Sequence, residues 1–256
     1  MNVDVAAAIA HYRAHGYARL GRVVPEGLLE RLRARAVDLM LGRVTYPGLF
    51  FQMDAVSGDH RDAPLGLGWQ GPSLSYRKLE KLELDDVFRE LIRLPALEPL
   101  VRALIPGRVR LYRAIVFNKA AAGGTEVPWH QDGGRLWGLS EDPQVQLWTA
   151  LDDAPTGGGC LEVLPGSHLG GLSTPLGGLV PPAQVAAAGA DGRKVTLDVV
   201  AGESVLLHNH LWHRSGKTQM GRRRLGFSAC YLSEHIRCVR TKRAPRVFFD
   251  VFPPAG

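Results

Sequence analysis

The chain has 256 residues, 45% of them hydrophobic, so it can bury one large core and sits at the upper end of single-domain size. No apolar run reaches the ~18 residues of a membrane span, "MNVDVAAAIAHYRAHGY" lacks a secretory pattern and "FPPAG" is no peroxisomal address, so a soluble, cytoplasmic protein without a membrane partner is expected. The net charge of +6 comes mostly from Arg, clustered at Arg222 to Arg224 and in "RCVRTKRAPR"; it predicts a solvated basic face, with an anionic substrate as the alternative, and the lack of zinc-finger spacing or an RNA-recognition signature disfavours a nucleic-acid partner.

The opening residues read as a helix to about His15, followed by a short strand around "YARLGRVV". A second helix is predicted with Pro25 near its first turn and Leu28, Leu29, Leu32, Ala36 and Leu39 on helical spacing. From Tyr46 to Pro72 the chain is rich in Gly, Asp and Pro and reads as loop. "DDVFRELIRL" and "PALEPLVRALI" then read as two short helices. After Pro106 the texture changes. "RVRLYRAIVFN", "QVQLWTALDDA", "CLEVLPGS", "KVTLDVV", "ESVLLHNH" and "RRLGFSACYL" are short, β-branched or aromatic, and separated by turn residues. Many strands at close intervals after a helical prelude predict a mainly β sandwich or barrel with flanking helices. No dinucleotide or phosphate-loop pattern occurs, and "TGGGC" precedes a strand, so it reads as a turn. Cys160, Cys230 and Cys238 form no C-x-x-C pair and read as buried apolar residues or free thiols.

Two H-x-D pairs carry metal-binding chemistry. His60 and Asp62 fall in the polar loop ahead of Pro64, which supports no rigid site. His130 and Asp132, in "VPWHQDGGRLWG", end a strand-like stretch, where residues two apart point to one face. A third ligand must come from elsewhere, and "LLHNHLWHRSG" offers His208, His210 and His213. A three-His zinc site built from that segment alone is the rival, but it needs a turn to gather all three. One His added to the His130/Asp132 pair makes the two-His-one-carboxylate face of non-haem Fe(II) oxygenases. If the extra electrons come from a dicarboxylate, an Arg should grip its far end. Arg224 opens a strand expected beside the one ending near His208.

"PWHQD", "LWTALDDAPTGGGCLEVLPGSH" and "LLHNHLWHRSGKTQMGRRRLGFS" resemble the phytanoyl-CoA dioxygenase family of Fe(II)/2-oxoglutarate oxygenases, as do "HYRAHGYARLGRVVPEGLLERLRARA" and "YRKLEKLELDDVFREL". The resemblance covers most of the chain. It implies a double-stranded β-helix, or jelly roll, in one domain spanning 1–256, with a mainly helical prelude and lid region to 106, a core at 107–235 and an extension at 236–256. It implies His130, Asp132 and His213 as iron ligands and Arg224 as the residue on the distal carboxylate of 2-oxoglutarate. Ser215, Trp148 and Lys78 match further co-substrate positions, and O2 is the second co-substrate. Arg214 stands where the family often has a small residue, which places a charge near the mouth. Trp137 is a candidate wall of the substrate pocket. The proximal carboxylate is present, which disfavours halogenation. The implied activity is hydroxylation of an unactivated C–H bond in a small organic molecule, with release of succinate and CO2. The stretches near 55–75 and "LGGLSTPLGGLVPPAQVAAAGADG" are candidate lids. The competing readings are a jelly roll that binds a metal or ligand without catalysis and a nucleic-acid demethylase of the same chemistry.

Overall fold

A computed structural model of the chain describes residues 3–121, 123–241 and 244–254. The helices start and stop where local chemistry dictates. Helix α1 (Val5–His15) begins at Asp4, whose side chain accepts from the Ala7 N–H at 3.0 Å, and ends at Gly16, where φ is 83°. Helix α2 (Glu26–Met40) follows Pro25, and the residues expected on its apolar stripe, Leu28, Leu29, Leu32, Ala36 and Leu39, are all buried. The Asp85 carboxylate caps α3 (Asp86–Ile92) by accepting from the N–H groups of Val87 and Phe88 at 2.9 and 3.2 Å. Helix α4 (Glu98–Leu104) completes the prelude.

The early strands are β1 (Tyr17–Arg22), β2 (Phe50–Met53) and β3 (Tyr76–Glu80). The later ones are β4 (Val109–Lys119), β5 (Val127–Gln131), β6 (Val145–Ala150), β7 (Leu161–Val163), β8 (Gly178–Leu179), β9 (Val195–Leu197), β10 (Glu203–His208), β11 (His213–Ser215), β12 (Arg224–Ser233) and β13 (Phe249–Phe252). They form two antiparallel sheets. The larger has the order β1-β10-β6-β12-β4-β3-β2, with β13 also on β4; the smaller runs β8-β5-β11-β7-β9.

Period-2 alternation divides the large sheet between two jobs. On β12, Leu225, Phe227, Ala229 and Tyr231 join Leu147, Leu206 and the apolar sides of the helices in the main core. The opposite face carries Arg224, Ser228 and Cys230, beside Gln146 and Trp148 of β6 in register. Trp148, Val205 and Leu207 of that face pack against Leu161, Val163 and Leu197 of the smaller sheet. This is the jelly-roll sandwich expected, and its interior holds polar side chains where a plain core would hold aliphatic ones.

Three local expectations change. β2 lies inside the stretch read as loop from Tyr46 to Pro72, because Phe50 and Phe51 pair with Glu80 and Leu79, a long-range contact invisible to local composition. β12 is not beside β10: β6 lies between them, and the neighbours of β12 are β4 and β6. Part of the second candidate lid is ordered as β8 and helices α5 (Pro182–Ala187) and α6 (Ala190–Arg193). Lys242 and Arg243 of the basic segment lie outside the described residues. Among those described, no helix is long and apolar enough to cross a membrane.

Candidate metal centre and adjoining pocket

β5 and β11 are neighbours in the smaller sheet, and their register sets His213 directly opposite His130. The imidazole centroids are 4.0 Å apart. Asp132 follows just past the end of β5, its N–H bonded to Asn209 O at 2.8 Å, and its Oδ2 lies 3.8 Å from His213 Nε2. One ligand atom from each of the three residues lies within 4.8 Å of the other two. Among the described residues, they are the single group of three or more His, Cys, Asp or Glu so arranged. The three-His alternative therefore does not assemble: His210 Nε2 bonds Asp142 Oδ2 at 2.9 Å, and His208 Nδ1 accepts from the His210 N–H at 3.0 Å. His60 and Asp62 form a short 3-10 turn on the outer loop.

The backbone fixes both ligand tautomers. His130 Nδ1 is 2.9 Å from Pro128 O and His213 Nδ1 is 2.8 Å from Leu211 O, each the carbonyl two residues back. A carbonyl can only accept, so each Nδ1 carries the proton and each Nε2 keeps its lone pair. Burial, reinforced by the charge of His213, pulls His130 down to about 3, so its ring is neutral at ordinary pH. Burial alone would push Asp132 up; the nearby Arg113 guanidinium, both imidazoles and a Gln146 hydrogen bond outweigh it and hold the carboxyl well below the usual range. Two imidazoles and one carboxylate on a shared face suit a divalent ion with open positions.

After Asp132 the chain turns through Gly133 and Gly134, with φ of 144° and 80°. A Cβ at Gly134 would meet the Leu176 carbonyl oxygen at 2.5 Å, so the close approach of the 171–179 segment requires glycine there. Gln131 braces the same segment, donating to Gly171 O and His210 O at 2.8 and 2.7 Å and accepting from the Ser173 N–H at 2.7 Å.

A pocket opens on the three ligands; Trp148, Ser215, Arg214 and Arg224 line it. Arg224 is 3% exposed and donates from Nη2 to Gly159 O, its guanidinium carbon 5.5 Å from the centre of the Trp148 ring. Its buried Nε has no hydrogen-bond partner, and it forms no ion pair among the described residues. Burial pulls its pKa down to about 10. Arg222 is exposed, and Arg223 Nε reaches Asp152 at 3.5 Å.

Two lining cations escaped the sequence reading. Lys119 faces Arg224 in register, 4% exposed, its Nζ donating to Thr125 O at 2.7 Å. Arg77 stands on β3, where the register shifts between Lys78 and Tyr76. A bulge of this kind re-aims a side chain, and Arg77, not Lys78, lines the pocket. Lys78 instead pairs with Glu80 at 2.8 Å. Arg214 is charge-compensated, its Nε and Nη1 on Glu162 and Asp191 at 2.5 and 2.6 Å. Trp137 lies outside the pocket lining, stacked on Tyr112 with centroids 4.6 Å apart.

His208 supplies a stability test apart from this site. Burial, then the charges of His168 and His210, lower its pKa from 6.5 to about 3 in the folded chain. The unfolded state therefore binds the extra proton first, and stability falls as pH drops from 6.5 toward 3, by ~1.4 kcal/mol per pH unit for this group. Urea unfolding of the metal-free protein at pH 6.5, 5.5 and 4.5 should show a slope that His208→Gln reduces by that amount. Equal slopes in the two proteins would contradict it.

The model of the family described as Phytanoyl-CoA dioxygenase (PhyH) matches residues 12–225. L-proline trans-4-hydroxylase from Streptomyces griseoviridis is 38% identical over 94 residues, 35% of this chain and 35% of that protein. The chain thus matches about a third of that hydroxylase's length. Peroxisomal phytanoyl-CoA dioxygenase from Rattus norvegicus is 24% identical over 243 residues, 90% of this chain and 69% of that one. The epimerase SnoN, solved in complex with Fe3+, alpha ketoglutarate and nogalamycin RO, superposes with a TM-score of 0.71 at 21% identity, covering 94% of this chain and 88% of that one. At that identity the likeness supports the jelly-roll fold alone. With the family match spanning both His130/Asp132 and His213, the chain belongs to the phytanoyl-CoA dioxygenase family.

Proposed function

We propose that the protein is an Fe(II)- and 2-oxoglutarate-dependent dioxygenase that hydroxylates an unactivated C–H bond of a small organic molecule. The observation that carries this reading is the pairing of the His130, Asp132 and His213 face with a buried, unpaired Arg224 in one pocket. A metal site alone needs no such arginine. Burying a guanidinium without a counter-ion is costly, and a carboxylate arriving with the ligand offsets it. Arg77 and Lys119 add positive charge, which suits a dianion whose second carboxylate lies at the metal.

In this reading His130, Asp132 and His213 hold Fe(II), which when bound supplies the oxygen chemistry that converts 2-oxoglutarate to succinate and CO2. The protein's own residues orient and exclude. Arg224 takes the distal carboxylate, Ser215 and Trp148 wall the co-substrate, and the two Nδ1 bonds keep both imidazoles aimed at the ion. The apolar side chains of Leu161, Val127 and Leu207 limit water around it.

Mixed nitrogen and oxygen ligands bind Zn2+, Cu2+ and Ni2+ more tightly than Fe(II). Protein as purified is therefore expected to carry a wrong metal in part. Stripping with chelator and adding Fe(II) should restore succinate production from 2-oxoglutarate. Full activity with Zn2+ as the sole metal would contradict redox chemistry and favour a hydrolytic or structural site.

A further inference from the structure

Asp132 has a neighbour beyond the imidazoles. Arg113 of β4 donates from Nη2 to Asp132 Oδ1 at 2.9 Å, leaving Oδ2 on the side of His213. Among the described residues this is the one side-chain hydrogen bond of the Arg113 guanidinium, and the side chain is still 18% exposed. Its central carbon lies 4.2 Å from the centre of the Trp137 ring, so the cation rests on an aromatic surface with N–H groups to spare.

More charge gathers on the same face of the sheet. Lys78 and Glu80 pair in register with Phe117 and Ile115, whose face Arg113 shares. Lys78 Nζ is 2.8 Å from Glu80 Oε2, and Arg246 Nη2 is 4.0 Å from Glu80 Oε1. Arg246 also lies 4.7 Å over Tyr112, while Arg240 donates to Trp137 O at 3.0 Å. The acids facing these four cations are Glu80, Glu83 and Asp132, and Asp132 is claimed by the metal in the reading above. Arg113 sits six residues along β4 from Lys119, about 20 Å at the rise of a strand. The cluster is thus a second cationic site, further along the same face of the sheet from Arg224, with Asp132 reached from it by one hydrogen bond.

We propose that this cluster seats a carboxylate of the organic substrate, so that the protein acts on a small anionic molecule. Arg113 and Arg246 take the carboxylate over the aromatic floor of Tyr112 and Trp137, and Lys78 with Glu80 holds the charges in place. The planar fork of a guanidinium with a free edge matches a carboxylate. Anchoring that group beside Asp132 sets the rest of a short molecule against the metal centre. The inference rests on the oxygenase reading and deepens it.

The test uses Arg246, which does not touch the metal ligands and lies in the partly exposed C-terminal segment. Fe(II)-loaded protein with saturating 2-oxoglutarate is offered small carboxylic acids, amino acids included, each beside its neutral methyl ester. The readout is succinate formation above the substrate-free rate. Free acids should stimulate and their esters should need at least ~10-fold more. Arg246→Gln should raise the half-saturating concentration of the best acid by roughly 10- to 100-fold, with Arg246→Lys intermediate. The maximal stimulated rate and the half-saturation for 2-oxoglutarate should move far less, a split that general damage to the fold would not give. Esters as effective as acids, an unmoved half-saturation in Arg246→Gln, or no acid stimulating at millimolar concentration would overturn the inference. Failure of the wild-type protein to bind 2-oxoglutarate at all would overturn the oxygenase reading with it; the other outcomes leave that reading standing.

Discussion

His130→Ala, Asp132→Ala and His213→Ala should each reduce conversion of 2-oxoglutarate to succinate to background, while His60→Ala should leave it intact. The three residues provide the converging ligand atoms, and removing one leaves a divalent ion with two protein ligands. His210→Ala separates the distal ligand from its neighbour. His210 bonds Asp142 rather than the site, so its loss should retain iron and most activity. Iron content by elemental analysis, measured beside turnover, checks the assignment. Normal iron and turnover in His213→Ala, with both lost in His210→Ala, would show that the distal ligand is His210.

Arg224→Ala should weaken 2-oxoglutarate binding by about 30- to several-thousand-fold and leave Fe(II) binding nearly unchanged. The estimate is the roughly 2–5 kcal/mol lost when one partner of a buried charged pair is truncated. The side chain is buried, its Nε lacks a partner and its nearest hydrogen-bond acceptor is a neutral carbonyl, so a bound carboxylate would be its first counter-ion. Arg222→Ala and Arg223→Ala should change affinity by less than ~1 kcal/mol, as exposed or screened charges do. Equal small losses at all three positions would remove the co-substrate from this pocket.

The readable parts of this protein were those that repeat along the chain. The β-branched and aromatic texture of "RRLGFSACYL" marked β12 as a strand, and helical spacing on α2 named its buried stripe. His130 and Asp132 were legible because residues two apart near a strand end share a face. The choice of His213 over His208 and His210 came from family spacing; its physical basis, the register opposite His130, has no local signature. Arg113 was missed for the same reason. It sits on β4 of the larger sheet, 19 residues before Asp132 in sequence, and meets it because Asp132 follows β5 of the smaller sheet, which packs against the larger one. Lys78 and Arg77 differ by one position, and a strict two-residue period cannot show the register shift between them. The order of β10, β6 and β12 was likewise set by long crossovers and packing of both faces, not by any neighbouring residues.

The most direct test is anaerobic titration of Fe(II)-loaded protein with 2-oxoglutarate, following the weak visible charge-transfer band of the chelated co-substrate. The oxygenase account predicts a saturable band in the wild-type protein. It should be absent in His213→Ala and displaced to much higher 2-oxoglutarate concentration in Arg224→Ala. A wild-type protein that holds Fe(II) yet gives no band at any 2-oxoglutarate concentration would contradict it.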